Sequence, residues 1–515
     1  MTGNAVIERW LREAKQKGIF DSIEKVDEIL NILGIERFLY PASVQRTNKD
    51  TYALIKVNGD DMLGVFCRGM KPADFHGTTK NFNGLKISIC PLVHENAVIL
   101  RGVLSFTAPC TLSKRDTTFG VGDRLGIATP GHIQIFKRYK ASPVFAQQSV
   151  REITLTKRSF EDVLDSATWA CFREGFNKPW GADGDHLKTE DQVKKVLSIG
   201  YTMVTADVSD YIRGEYTSKD NSYVVASYKN LSSGYRKVIE ERYLSSQVNL
   251  DSGQTIIFSE EELGRAALIY GEALEHARRL YEAGNEVRGE RDFDFELSID
   301  ETSTPTTPLA HVFIAKELER IGIKVISIAP RFVGEFQKGI DYIGDLKEFE
   351  KSFRVHAAIA GKFGYKISIH SGSDKFLVFP VIGRITGGRF HIKTAGTNWL
   401  EALKIISRKD PSFFKFLYKY AQQKFGDAQK YYQITPDQSA LPSVSAVDDS
   451  KLPDLFSNSD VRQVLHVTYG EMLKDTGIKK KIFMVLGKYK EDYWQALGEH
   501  IGKHLDLLNV PLAAS

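Results

Sequence analysis

Short β-rich runs alternate with longer amphipathic segments of helical periodicity from about residue 115 onward. Strands that alternate with helices in this way predict a parallel sheet. About eight runs can be counted, and eight strand–helix units close a (β/α)8 barrel. We therefore predict an α/β fold with a TIM-like (β/α)8 catalytic barrel over residues 111–515. The runs are GDRLGIATPGH, PWGADGDH, YTMVTADVSD, FDFELSIDET, KVISIAPRF, YKISIHSGSDKF, RFHIKTAGTN and RQVLHVTYG.

Other parts of the chain have a different character. Residues 1–110 mix short helical segments with strand-like runs such as TYALIKV and LKISIC, which predicts an N-terminal α+β extension packed on the barrel. A helical insertion is expected at about residues 210–290, where Ser259 and Glu262 form a capping-box pattern. The Pro-, Ser- and Asp-rich segment Gln433–Asp454 is predicted to be a loop.

Composition excludes several classes of protein. The 69 Lys and Arg residues against 65 Asp and Glu are spread along the chain, so no nucleic-acid partner is expected. The N-terminal stretch MTGNAVIERWLREAKQKG has no apolar signal region, and no run has membrane-spanning length, so we expect a cytoplasmic protein without a membrane partner. The four widely spaced cysteines suggest buried thiols rather than disulfides or a zinc site. They are Cys67, Cys90, Cys110 and Cys171.

Polar residues cluster where many of the predicted strands end. KPWGADGDHLKT at Lys178–Thr189 shows this best, because Asp183, Asp185 and His186 fall within four residues. Active sites of barrel enzymes lie at the C-terminal ends of the strands, where the following loops converge. We therefore predict that these clusters are the walls of one shared pocket.

Three histidines are candidate metal ligands. His186 and His370 follow strand bodies directly, and His311 lies within about one turn of a helix start that Thr307 can cap and Pro308 can begin. Imidazoles at an open barrel mouth suit a divalent cation such as Zn, Mn, Ni or Co. A carboxylate of Asp185 or of Glu301 could replace His311.

Most other histidines receive a structural interpretation. His276, His500 and His504 lie in polar helical segments and are predicted to be solvent-exposed. His356, in the middle of the helical run FRVHAAIAGKFG, is predicted to lie at the edge of the core.

Two carboxylates are candidates for proton transfer. Asp300 and Glu301 end the strand FDFELSI, and capping of the next helix does not need them. Glu301 opposite Asp185 would form a pair whose pKa values could be separated by burial and charge, as acid–base chemistry requires. Which of the two is the acid and which the base stays open.

Basic residues at three strand exits suggest an anionic substrate. Arg331, Lys375 and Lys393 end consecutive runs and are predicted to bind substrate. The turn TAGTN, which opens a helix, could add backbone N–H groups. Each of the three could instead form a salt bridge at the rim.

Long stretches of the chain resemble the bacterial tagaturonate/fructuronate epimerase family. The stretches are FGVGDRLGIATPGH, SFEDVLDSATWACFREGFNKPWGADGDHLKT, DETSTPTTPLAHVFIAKELERIGIKVISIAPRFVGEFQKGIDYIGD, HAAIAGKFGYKISIHSGSDKF and HIKTAGTNWLEALK. The resemblance covers roughly residues 115–405. It implies a metal-dependent epimerase of hexuronate catabolism that interconverts D-tagaturonate and D-fructuronate, and some members also convert fructose and tagatose. It further implies Asp185 and Glu301 as the proton-transfer pair, with His186, His311 and His370 around the metal.

The inverted carbon of such a substrate is β to the ketone, so its C–H bond is not acidified. Transient oxidation would need a nicotinamide, but no G-x-G-x-x-G motif follows a predicted strand, so NAD is not expected. Retro-aldol cleavage and re-addition is the mechanism we expect. The alternatives are a metal-dependent aldolase or ketose isomerase on the same barrel, or a non-catalytic uronate-binding protein. An oligomer is possible.

Overall fold

The computed structural model describes residues 35–38, 40–47, 50–68, 74–82, 85–244 and 246–513. The amphipathic N-terminal stretch lies outside these residues. The chain divides into two compact units: residues up to 109 with 161–179, and residues 110–160 with 180 onward.

The strands, numbered along the chain, are β1 (Ile35–Phe38), β2 (Gln45–Arg46), β3 (Asp50–Val57), β4 (Asp60–Arg68), β5 (Thr78–Phe82), β6 (Leu85–Pro91), β7 (Thr117–Val121), β8 (Ser142–Ser149), β9 (Gly181–Leu187), β10 (Met203–Asp207), β11 (Gln247–Asn249), β12 (Thr255–Ile257), β13 (Asp294–Ile299), β14 (Ser327–Pro330), β15 (Lys366–Ile369) and β16 (Phe390–Thr394).

The α-helices are α1 (His94–Val103), α2 (Thr129–Phe136), α3 (Val150–Thr156), α4 (Phe160–Glu174), α5 (Glu190–Ile199), α6 (Asn221–Lys229), α7 (Ser233–Tyr243), α8 (Glu260–Arg288), α9 (Pro308–Arg320), α10 (Leu346–Phe363), α11 (Phe379–Thr386), α12 (Gly396–Lys409), α13 (Pro411–Ala428), α14 (Ser459–Val467), α15 (Tyr469–Lys474), α16 (Thr476–Lys488) and α17 (Lys490–Leu507).

The first unit is an antiparallel sheet with helices. Its strand order is β1-β3-β4-β6-β5, and β2 pairs with β3. Strands β3 and β4 meet at Asn58-Gly59, where both residues have positive φ, as a two-residue hairpin turn with this sequence requires. Buried side chains of β3 and β4, among them Tyr52 and Leu63, form a core with Trp169 of α4.

The second unit contains a closed eight-stranded barrel in the order β10-β13-β14-β15-β16-β7-β8-β9. Its neighbouring strands pair in parallel, and β16 closes the ring on β7 in the register Phe390↔Thr117. The predicted (β/α)8 barrel is confirmed. Six of the eight runs contain a barrel strand at the expected place.

Two of the predicted strands were wrong. GDRLGIATPGH forms a loop and α2, and the strand lies just before it at Thr117–Val121. RQVLHVTYG lies mostly in α14. The buried Val461, Val464 and Leu465 of this helix have the i, i+3, i+4 spacing of a helix face. The strand that completes the barrel is Ser142–Ser149, where Pro and Gln residues interrupt the apolar pattern.

The predicted insertion lies between β10 and β13. It contains helices α6–α8 and the hairpin β11–β12. The Ser259 hydroxyl accepts a hydrogen bond from the N–H of Glu262, and the Glu262 carboxylate accepts one from the N–H of Ser259. These two bonds confirm the predicted capping box. Segment Gln433–Asp454 contains short 3-10 turns and no α-helix or strand.

Helices α12–α17 pack together around a large apolar core with Trp399 and Tyr469 among its members. Within the part of the chain that the structure describes, no helix is both long and apolar enough to cross a membrane. The cysteines are free thiols. Cys110 is exposed, contrary to expectation, whereas the other three are buried.

Candidate active site

A cavity of about 460 Å³ opens at the C-terminal end of the barrel. Strand ends or the loops that follow β7, β8, β9, β13, β14, β15 and β16 contribute side chains to its wall. Of the residues predicted from sequence, the cavity is lined by Asp185, His186, Glu301, Arg331, His370 and Lys393. The structure therefore brings six of the eight predicted residues to one cavity.

A bulge in β9 explains how adjacent residues can both reach this cavity. Val204 pairs with Gly184, but Ala206 pairs with Leu187, so β9 has one residue more than β10 in this interval. His186 has a φ of 51°, in the left-handed region that side chains rarely adopt. Neighbours in a regular strand face opposite sides, whereas a bulge can redirect a side chain. Asp185 and His186 thus line the same cavity.

Lys393 is at the centre of a buried charge network. Its Nζ lies 2.8 Å from Asp183, 2.7 Å from Asp185 and 3.0 Å from Glu296, and it also bonds Thr205. Burial alone would lower the pKa of Lys393, but the three carboxylates raise it well above its usual value. Lys393 is therefore a charged ammonium that holds carboxylates of two strands in place.

The charge on Lys393 also keeps the Asp185 carboxyl group ionised. Burial would raise the pKa of Asp185, but Lys393 and the imidazoles of His186 and His370 outweigh this and lower it to about 2. At neutral pH the Asp185 carboxylate is ionised and can accept hydrogen bonds from a hydroxyl group in the cavity.

His186 and His370 lie edge to face, with 5.0 Å between ring centroids. His370 Nε2 is 2.7 Å from Glu296, which orients the ring. Its Nδ1 lies 3.0 Å from an Asp300 oxygen, and Nδ1 of His186 lies 3.6 Å from Asp207, in both cases without a well-directed hydrogen bond. Two imidazoles and nearby carboxylates are donors that suit a divalent cation such as zinc or manganese.

His311 does not join the other two histidines. Helix α9 begins as predicted, with the Thr307 hydroxyl accepting the N–H of Ala310. However, His311 is fully buried, and its ring nitrogens contact His356 Nδ1 at 2.9 Å and the Tyr365 hydroxyl at 2.8 Å. Both nitrogens therefore have hydrogen-bond partners inside the protein, and neither partner lines the cavity. His356 is likewise fully buried.

Lys375 is also separate from the cavity wall. Its buried ammonium donates to the carbonyls of Gln337, Ile340 and Ser373 at 2.6–3.0 Å. These bonds fasten the loop after β15 to the loop after β14, which is a structural role. Arg331 does line the cavity, where it donates to the Thr302 carbonyl at 2.7 Å.

A second Asp–His cluster joins the loop after β15 to α17. Asp374 bonds His500 and Arg462, and its amide donates to His504 Nε2 at 3.1 Å. The three residues Asp374, His500 and His504 offer ligand atoms within 4.8 Å of one another. However, His504 Nδ1 donates to the His500 carbonyl at 2.8 Å, so both of its nitrogens are occupied. This cluster is structural.

The prediction that His276, His500 and His504 are solvent-exposed was wrong. His276 and His504 are buried, and only 17% of the His500 side chain is exposed. His276 bonds the Lys188 carbonyl and stacks on Tyr211. The helices that carry them pack against other elements, which single-segment polarity does not reveal.

Sequence reasoning named Asp183 as part of a pocket wall but not as a buried partner of Lys393, and it missed Glu296. Asp183 and Glu296 are fully buried and both contact Lys393. Their signal was the period-2 alternation of polar and apolar residues in GADGDH and DFELSI, which places polar side chains on the inner face of the barrel. Asp207, beside His186, ends β10 in the same way.

Comparisons with known proteins agree with this geometry. The family model of the UxaE tagaturonate epimerases matches residues 40–508. The chain belongs to the tagaturonate epimerase family. A tagaturonate/fructuronate epimerase of Thermotoga maritima is 42% identical over 428 residues, which are 82% of this chain and 87% of that protein. As a member of this family, the protein is an isomerase, an epimerase that acts on carbohydrates.

Crystal structures of family members have the same fold. Two structures of the fructuronate–tagaturonate epimerase of Cohnella laeviribosi, one with one glycerol bound and one native, each align with a TM-score of 0.88. They are 41% and 40% identical to this epimerase and cover 95% of this chain and 99% of theirs. The barrel and its N-terminal unit are thus both family features.

Proposed function

We propose that this epimerase interconverts D-tagaturonate and D-fructuronate by inverting the carbon β to the ketone. The observation that carries the proposal is that Asp185, His186, Glu301, His370 and Lys393 line one cavity at the catalytic end of a barrel. The names of the relatives from Thermotoga maritima and Cohnella laeviribosi support this choice of substrates.

We propose that His186 and His370 would hold a divalent metal in this cavity, with Asp300 in the position first assigned to His311. Asp300 is suited to this because its oxygen lies 3.0 Å from His370 Nδ1 and therefore faces the same point as that nitrogen. Glu296 would orient the His370 ring from its Nε2 side. When bound, the cation would supply Lewis-acid stabilisation of negative charge beside the substrate ketone.

We assign the remaining residues to the steps of a retro-aldol route. The ionised Asp185, held by Lys393, removes the proton from the hydroxyl at the epimerising carbon. The electrons of that O–H bond form the C=O bond of an aldehyde. The adjacent C–C bond breaks, and its electron pair passes to the ketone fragment, which becomes an enediolate. The aldehyde rotates, the C–C bond re-forms on its other face, and a proton returns to the new hydroxyl. Atoms and electrons balance without a redox cofactor.

Glu301 is the second proton-transfer group. The two epimers direct the reacting hydroxyl to opposite sides, so one carboxylate on each side serves both directions of the reaction. Asp185 belongs to β9 and Glu301 to the loop after β13, on different parts of the cavity wall. This arrangement gives each epimer its own acid–base partner.

The test is turnover of D-tagaturonate and of D-fructose by metal-stripped protein, and again after manganese, zinc, nickel or cobalt is restored. We expect the epimer to form only with metal, and the substrate ratio measures the preference for the carboxylate. Cleavage fragments or an aldose as products would instead establish an aldolase or a ketose isomerase. Absence of turnover with every metal would contradict the proposal.

Isotope exchange tests the mechanism separately. Turnover in D₂O should leave the hydrogen on the inverted carbon unexchanged, because that C–H bond is never broken. Deuterium at that carbon would refute the retro-aldol route and leave the substrate assignment standing.

A further inference from the structure

The cations of the cavity differ in whether they have a carboxylate partner. Lys393 has three, Arg124 lies 2.8 Å from Glu152, and Arg331 lies 3.6 Å from Glu335. Lys338 and Arg151 have no carboxylate oxygen within 4.0 Å among the residues that the structure describes. Two cations in the same cavity therefore lack a counter-ion.

Lys338 is held in place by a neutral partner. Its half-buried ammonium donates to the Ser371 hydroxyl at 2.6 Å, directly after His370. Burial and then the Arg151 charge lower the pKa of Lys338, while the more distant carboxylates of Glu301 and Asp300 only partly offset them. An anion beside Lys338 would relieve both unfavourable effects.

His466 adds an unpaired polar group to the same region. Its side chain is 1% exposed, lines the cavity, and has no hydrogen-bond partner for either ring nitrogen among the described residues. The ring occupies the space beside Gly339 and Gly396, and a Cβ at Gly396 would overlap it. Burial and the charges of Arg124 and Lys338 lower its pKa well below 6.5, so it is neutral, with one N–H to donate.

The N-terminus of α12 borders His466 as well. Thr394, Ala395 and Gly396 line the cavity, and the residue before the helix, Ala395, provides no side-chain cap. Free N–H groups and the helix dipole at such an end attract anions. The loops after the seventh and eighth strands, here β15 and β16, are where barrel enzymes often bind anionic groups.

We infer that Lys338, His466 and the N-terminus of α12 form the subsite for the carboxylate of the sugar acid, with Arg151 adding positive charge. This assignment rests on the proposed uronate substrate. It places the carboxylate beside Lys338 and His466, and the reacting carbons beside Asp185. Lys338 then determines the preference for uronates over free ketoses.

The kinetic test compares Lys338→Met with Lys430→Met. Lys430 also lines the cavity, but its side chain is 71% exposed and 3.4 Å from Asp427, so this variant removes the same charge from the rim. We expect Lys338→Met to raise KM for D-tagaturonate about 30-fold or more, because a charge-assisted bond to a carboxylate is lost. The loss on D-fructose should be at least about tenfold smaller. Lys338→Arg should recover part of the uronate activity, and Lys430→Met should change KM less than about threefold.

A binding measurement separates this inference from the proposed reaction. Calorimetry with D-galacturonate, D-galactose and inorganic phosphate is performed on the wild type and on Lys338→Met. Galacturonate binding that depends on Lys338, with weaker binding of galactose, supports the subsite even if no epimerisation is found. Equal galacturonate affinity in both proteins, no binding of galacturonate, or Lys338-dependent binding of phosphate in preference to galacturonate overturns it. Epimerisation with an unchanged KM in Lys338→Met would keep the reaction and reject the subsite.

Discussion

Two clusters of aspartate and histidine share the segment after β15, one through His370 and the other through Asp374, and they differ in how completely their polar atoms are bonded. In the cavity, Nδ1 of His186 and of His370 lie near carboxylates without well-directed hydrogen bonds. In the other cluster, His504 forms hydrogen bonds through both ring nitrogens, and His500 bonds Asp374 through Nε2 while its Nδ1 lies 3.3 Å from Glu401.

The difference teaches that residue type and burial do not distinguish a reactive site from a structural one. Both clusters contain carboxylates with lowered pKa values. Burial alone would raise the pKa of Asp300 and of Asp374, but neighbouring histidines lower it by more. What distinguishes the clusters is unused bonding capacity that faces a cavity. A buried polar atom without a good partner is costly, so one that faces a cavity is a candidate for contact with a ligand, an ion or water.

The largest expected effect is the loss of catalysis in His186→Ala and His370→Ala. If these rings hold the metal, each substitution should lower metal-dependent kcat/KM by about 1,000-fold, which corresponds to roughly 4 kcal/mol. The secondary structure should be retained. Steady-state kinetics and metal content check this, with His500→Ala as the matched control from the other cluster. Full activity in either variant would remove that histidine from the site.

Next in size is the effect of Lys393→Met on stability. The substitution leaves the carboxylates of Asp183, Asp185 and Glu296 buried without their common cation, which should cost about 3–5 kcal/mol in the free energy of unfolding. Urea denaturation measures it. Lys188→Met is the control, since that lysine also contacts carboxylates but is 41% exposed. Equal losses in the two variants would show that Lys393 is not the centre of the network.

The barrel was largely predictable because most of its strands are short β-rich runs that alternate with amphipathic helices. Strand β8 was not, since Pro143 is its second residue and Gln147 and Gln148 are buried in it. Gln147 lines the cavity, so the polar lining of the barrel interrupts the apolar pattern of this strand. RQVLHVTYG failed for the opposite reason, because a short apolar run does not distinguish strand from helix.

The position of Asp185, His186 and His370 at one cavity was predictable, because each of them lies at the C-terminal end of a strand. His311 was misplaced because a position in the first turn of a helix does not specify which face of the helix carries it. Lys338 and His466 come from a loop and from a helix far along the chain. Only the tertiary fold brings them to the cavity, so no local pattern could identify them.

A smaller effect is expected when the structural cluster is broken. Burial lowers the pKa of His500, but Asp374 and then Glu401 offset this and raise it, while Arg462 and His504 also face the pair. A raised pKa means that charged His500 contributes stability below pH 6.5, and that this contribution is lost as the pH rises through the folded-state pKa. His500→Gln should therefore cost about 2 kcal/mol at pH 6 and less at higher pH.

Urea denaturation of wild type and His500→Gln at pH 6 and at pH 9 measures this difference. Activity per folded molecule should stay within about threefold of wild type, because the cluster lies outside the reacting groups. A cost that grows with pH would mean that His500 is neutral in the folded protein.

The smallest effect on catalysis is expected for His311→Gln. Because His311 bonds His356 and Tyr365 rather than facing the cavity, the variant should retain the wild-type metal content and kcat within about threefold, at a cost of about 1–2 kcal/mol in stability. Tyr365→Phe removes one of the same hydrogen bonds from the other side. If the role of His311 is structural, the stability losses of the two variants should not add in the double variant, because they break a shared bond. Loss of metal in His311→Gln, as in His370→Ala, would instead return His311 to the metal site and remove the contrast between its buried ring and the two rings in the cavity.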